Sequence, residues 1–134
     1  MKFLFPLGRV LFSLIFIIAA PRHFTHEAIQ HAADLGVPFA QVLVPLSGVL
    51  AIVGGLGVAV GYRARWAAWA LVAFLIPVTW CMHGYWRLSD PAAIHIQQAM
   101  FAKNLSMLGA ALLLSQFGPG PISFDQTDEP PKMS

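Results

Sequence analysis

Charge is scarce in this 134-residue chain. Asp, Glu, Lys and Arg make up 10% of it, where a soluble globular domain carries about 25%. A domain this small needs polar side chains to cover its surface, and 57% of these residues are apolar. That excludes a soluble enzyme, a disordered chain and a coiled coil. The single cysteine, Cys81, excludes an internal disulfide framework and any cysteine-built metal site. The net charge is only +2, so no dense basic face exists for a phosphate backbone, and nucleic acid is not a partner. A nucleophile elbow, a P-loop, a dinucleotide fingerprint and a c-type haem motif are all missing. Cys81 sits beside apolar Met82, with His83 the one activating neighbour. No autonomous catalytic motif remains, and the sequence states no reaction.

What is present is long apolar runs. A helix needs about 20 largely apolar residues to cross a hydrocarbon core about 30 Å thick. Four stretches qualify: 3–20, 39–62, 66–86 and about 98–117, interrupted in charge by Arg9 in the first and Lys103 in the last. The runs are continuous rather than alternating, which excludes a membrane β-barrel. The expected fold is an all-α integral membrane protein, a four-helix bundle in contact with the lipid bilayer. Residues 1–124 form the transmembrane domain, and 125–134 form an acidic, Pro-containing tail expected to be disordered. Lys2, Arg63, Arg65 and Lys132 fall on one side, against Arg22 and Arg87 on the other. The positive-inside rule therefore gives cytoplasmic N- and C-termini and a multi-pass plasma-membrane protein. Trp66 to Trp86 spans about 30 Å at about 1.5 Å per residue, so the aromatic belts fit one bilayer. The first span also has signal-peptide features, but Ile18 and Pro21 suit a cleavage site after Ala20 poorly.

Small residues mark the second span. Ser47, Ala51, Gly55 and Ala59 repeat every four residues, and Gly57 with Gly61 makes a GxxxG. Such a stripe lets backbones approach closely, within the chain or, as the alternative, between two copies in a homodimer. Pro77 bends the third span.

Ionisable residues inside a membrane are functional candidates because burying them is costly. Arg9 and Lys103 lie within spans, and all six acids lie in loops or the tail. Each cation either snorkels to its nearer headgroup layer or faces the bundle and binds an anionic or carbonyl-bearing ligand, such as a quinone oxygen. Asn104 favours a pocket beside Lys103, since an amide that short cannot snorkel. All five histidines fall on the outer side. His26, Glu27 and His83 join Arg9, Lys103 and Asn104 as candidate ligand-binding residues. His23 and His26, three apart, are weak metal candidates that would need a further ligand.

Several stretches have a familiar order: Gly8-Arg9, Gly36-Val37-Pro38, Gly54-Gly55, Gly61-Tyr62-Arg63 and His83-Gly84-Tyr85-Trp86. Asp90-Pro91, Phe101-Ala102-Lys103-Asn104-Leu105, Gly109 and a closing Gly118-Pro119-Gly120-Pro121-Ile122-Ser123-Phe124-Asp125 follow them. With these the chain resembles the DoxX family of small four-helix bacterial membrane proteins over essentially its whole length. That resemblance implies a bacterial inner-membrane protein, with some relatives tied to membrane redox systems, including a thiosulfate:quinone oxidoreductase subunit. One departure is Ala51, where many of those relatives carry Glu in the second span, which leaves proton or cation chemistry at that acid without its residue. The leading expectation is a non-enzymatic subunit or ligand-binding component of a redox or envelope-stress system, with a protein partner and a quinone as candidate cofactor. The alternatives are a quinone-linked oxidoreductase subunit and a small-molecule or lipid carrier.

Overall fold

The computed structural model describes residues 1–125, and the rest of the expected tail lies outside the described residues. All regular structure among them is helical. Helix α1 spans Leu4–Ala19, and a 3-10 turn over Ala20–Phe24 continues it. Thr25 then turns extended (φ −88°, ψ 147°) and caps the short helix α2, His26–Asp34, its hydroxyl accepting from Ala28 N at 3.2 Å. Helices α3 (Ala40–Val60) and α4 (Ala64–Met82) form a hairpin whose turn needs left-handed backbone at Gly61 (φ 72°) and Arg63 (φ 43°). After a short turn over Tyr85–Arg87 comes α5, Pro91–Phe117.

Three helical stretches are long and apolar enough to cross a membrane: Leu4–Phe24, Ala40–Val60 and Ala64–Arg87. Helix α5 is the longest, with 27 residues, about 40 Å at about 1.5 Å per residue. It starts seven residues before the apolar run that begins near Gln98. Asp90 caps it by accepting from Ala93 N at 2.9 Å, and Pro91 takes the first helical position, where no N–H is needed. Hydropathy alone does not see that start.

Helices α3 and α4 are the central pair, with α1 packed on α3 and α5 packed on α4. Glycine makes this possible. Gly54 lies against Leu71 of α4, Gly55 against Phe16 of α1, and Gly57 against Ala67 of α4. The small-residue stripe is therefore used within the chain, where close backbone approach replaces a hydrophobic drive that lipid does not supply. The core is Phe16, Val58, Leu71, Leu75 and their small neighbours. Outside it Leu11, Val53, Ile76, Leu113 and many other large apolar side chains are exposed. In an all-helical chain of this length, that surface is the one lipid covers.

Candidate functional site

The two ends of the bundle are built differently. At the end of the α3–α4 turn, Arg9 is 4% exposed and neither snorkels nor meets a cavity. Its two terminal nitrogens donate to Pro119 O at 2.5 Å and Ile122 O at 2.6 Å. The segment after α5 thus folds back under the bundle. Phe124 N donates to Val60 O at 3.3 Å and Asp125 N to Gly61 O at 2.8 Å. The Asp125 carboxylate then accepts from Arg63 N (2.6 Å) and Ala64 N (2.7 Å), capping α4. Arg9 and Asp125 are parts of one clasp.

The other end holds a cavity of about 140 Å³. Its polar wall is His23, His83, Lys103 and Asn104, and its apolar wall includes Phe16, Ala51, Phe74 and Met107. The structure thus brings together three of the six expected ligand-binding residues, His83, Lys103 and Asn104, and adds His23. It leaves out Arg9, in the clasp, and His26 and Glu27. Both of the latter are exposed on α2, where His26 lines a separate surface groove with Gln30 and Phe39. His23 and His26 do not share a helix face, because extended Thr25 interrupts the helix between them. Among the described residues no three His, Cys, Asp or Glu side chains gather as metal ligands.

Hydrogen bonds fix the two histidines. Ser47 Oγ donates to Val44 O at 2.6 Å, so it accepts from His23 Nδ1 at 2.8 Å. His83 Nδ1 is 2.8 Å from Gln97 Oε1, an acceptor, so Nδ1 is again the protonated nitrogen. In both rings Nε2 stays free of these bonds. Lys103 is exposed, and among the described residues its Nζ meets one acceptor, a weak one, Met100 Sδ at 3.5 Å. Asp90 is spent on capping α5, Glu27 stays on α2, and no carboxylate lines the cavity among the described residues. Asn104 is 4% exposed, and its amide makes no hydrogen bond among the described residues.

Comparison with known proteins decides the family. The model of the SURF4 family matches residues 1–129. The chain belongs to the SURF4 family. It is similar to inner membrane protein YqjF of Escherichia coli (strain K12), 31% identical over 121 residues, which is 89% of this chain and 87% of that one. It is also similar to inner membrane protein YphA of the same strain, 29% identical over 122 residues, 90% of this chain and 86% of that one. No solved structure matches it. This SURF4 chain is a multi-pass protein of the bacterial inner membrane.

The DoxX resemblance is overturned by that match, and the redox association it carried goes with it. The reason is physical. The stretches that suggested DoxX are helix-ending glycines, interfacial aromatics and a Gly-Pro terminus, features that short membrane helices need whatever their family. Several belong to the clasp: Gly61 packs against Ser123 and Arg9, and Asp125 caps α4. Sequence reasoning undervalued His23, weighed only as a metal ligand, and missed Ser47 and Gln97 as the groups that orient the two rings. The signal for Ser47 was its place on the α3 face that also carries Ala51.

Proposed function

We propose that this inner-membrane protein is a ligand-binding component rather than an enzyme, and that it holds the polar end of a small membrane-borne molecule in the cavity between α1, α4 and α5. One observation carries this reading: Asn104 lines the cavity at 4% exposure with no hydrogen-bond partner among the described residues. The polar atoms sealed in without a partner among the described residues are Arg9 Nε and Ser13 Oγ; the Asn104 amide instead opens on the cavity, where a ligand oxygen or N–H can pair with it. Lys103 and the two Nε2 atoms extend the same polar wall. Four crossings are part of the proposal, with α5 as the fourth, both termini cytoplasmic, residues 1–124 as one transmembrane domain, and the cavity in the outer half. Pairing of two copies through Gly57 and Gly61 is not part of it, since Ala67 and Ser123 already occupy those faces.

Native mass spectrometry of protein extracted in a mild detergent tests this. The wild type should carry a small-molecule adduct, which Asn104→Leu should lose and Gly109→Ala should keep, with all three melting as folded proteins. Equal adduct on folded wild type and Asn104→Leu would overturn the reading.

A further inference from the structure

We infer that the ligand is an anionic amphiphile that enters sideways from the bilayer, its charged head in the cavity and its chain in the lipid between α1 and α5. This rests on the proposed binding role of the cavity and adds ligand class and route.

Charge sets the class. Lys103 is the one charged group in the cavity wall, and no carboxylate is there among the described residues to neutralise it. Lys103 is exposed at the rim of the cavity, and its partner there is a thioether sulfur at 3.5 Å, a weak acceptor that an oxygen anion would improve on. Asn104 adds amide N–H donors next to it in the sequence. An oxygen anion satisfies both: charge-assisted contact to Nζ and a hydrogen bond to the amide. With Nδ1 committed in each histidine, the Nε2 atoms of His23 and His83 are left to meet the head. A head that also bears a hydroxyl or a protonated oxygen fits all four side chains.

Size and packing set the route. About 140 Å³ is below the roughly 300–1,000 Å³ of sites that engulf a drug-sized ligand. The cavity holds a carboxylate or phosphate head, not a chain. The wall is drawn from α1 (Ile15, Phe16), α4 (Phe74) and α5 (Lys103, Asn104, Met107). Helices α1 and α5 pack on α3 and α4 respectively, and make little contact with each other. With Ala51 the wall also includes α3, and in the series α1, α3, α4, α5 each helix packs on the next, so the open edge is the one between α1 and α5. A chain leaving the head along that edge enters the hydrocarbon that covers the exposed apolar surface.

Four probes with the purified, delipidated full chain in maltoside detergent test both parts. Three carry a photoactivatable diazirine in a single acyl chain: a fatty acid, a lysophosphatidate and an uncharged monoacylglycerol as the neutral probe. The fourth is inorganic phosphate as a competitor. Both anionic probes should label saturably, and peptide mapping should place the adducts on α1 near Ile15 and on α5 near Met107. Inorganic phosphate at the probe concentration should not displace either anionic probe, because it lacks the chain; displacement at that concentration would overturn the amphiphile. Lys103→Gln should weaken half-saturation by about tenfold for the anionic probes, the loss of one hydrogen bond to a charged group, and leave any monoacylglycerol labelling unchanged. Equal labelling by the neutral probe, still abolished by Asn104→Leu, would overturn the anionic class and keep the cavity as a binding site. Labelling that Asn104→Leu leaves intact would overturn both. Adducts confined to α2 or α3 would overturn the lateral route.

Discussion

Arg9 has two carbonyl partners, Pro119 and Ile122, from a segment more than a hundred residues away in the chain. A guanidinium suits this because its planar fork presents several N–H groups at once, whereas an ammonium is a single point donor. Hydrogen bonds to charged groups are worth about 1.5–3 kcal/mol, and desolvation of the cation offsets part of that. Arg9→Met should therefore lower stability by about 2–3 kcal/mol, with Arg9→Lys intermediate, read as a fall in melting temperature and faster proteolysis between Gly118 and Asp125. Unchanged proteolysis in Arg9→Met would mean that the backbone bonds of Phe124 and Asp125 hold the segment alone. Ser13, one turn on, is the contrasting case. Among the described residues its hydroxyl, like Arg9 Nε, is buried without a partner, so Ser13→Ala removes an unsatisfied group and should be neutral or stabilising by up to about 1 kcal/mol. A clear loss of stability would show that the hydroxyl is bonded after all.

At the scale of helices, the glycines separate into those that set a distance and those that do not. A Cβ on Gly54 would come within 2.7 Å of Leu71 Cδ2 and 3.0 Å of Ala67 O, so α3 and α4 must part. Gly54→Ala should cost about 1–3 kcal/mol, the range for overpacking. Gly109 has nothing within 4 Å of the same position, and Gly109→Ala should be neutral or gain up to about 1 kcal/mol from helix propensity. Unfolding both variants in a denaturing detergent checks the pair, and an equal response would refute close packing of α3 on α4. The apolar helices were legible in the sequence because lipid demands long uncharged runs, and 39–62 differs from Ala40–Val60 by a residue or two at each end. Helix α5 was legible only in its apolar half, since its first two turns are fixed by Asp90 and Pro91 rather than by hydropathy. In the cavity Lys103 and Asn104 stood out because polar groups are rare in spans. The clasp did not, because it joins Arg9 to backbone carbonyls, which carry no side-chain signature.

For the whole molecule the deciding physical quantity is direction. The bundle has one end closed by the clasp and the other carrying the cavity, α2 and the histidines. The closed end bears Lys2, Arg63 and Arg65, exposed and free to face the cytoplasm, while the cavity end bears Arg22 and Arg87. Basic residues in short loops set orientation because they are retained on the cytoplasmic side during insertion. In the topology proposed above, the cavity lies towards the outer leaflet. Both ends offer exposed positions for labelling, His26 on α2 and Tyr62 at the α3–α4 turn, the latter 57% exposed. In a Cys81→Ala background, His26→Cys should react with a membrane-impermeant maleimide added to intact spheroplasts, and Tyr62→Cys should react only after the cells are opened. Neither substitution alters a Lys or Arg, so the charges that direct insertion stay in place. The reverse pattern would invert the bundle and put the cavity in the cytoplasmic leaflet, where an anionic ligand would have to come from the inner lipid pool. Labelling of both from the outside would put the two sites on one side of the membrane, with an even number of crossings between them, and would remove α3 as a crossing.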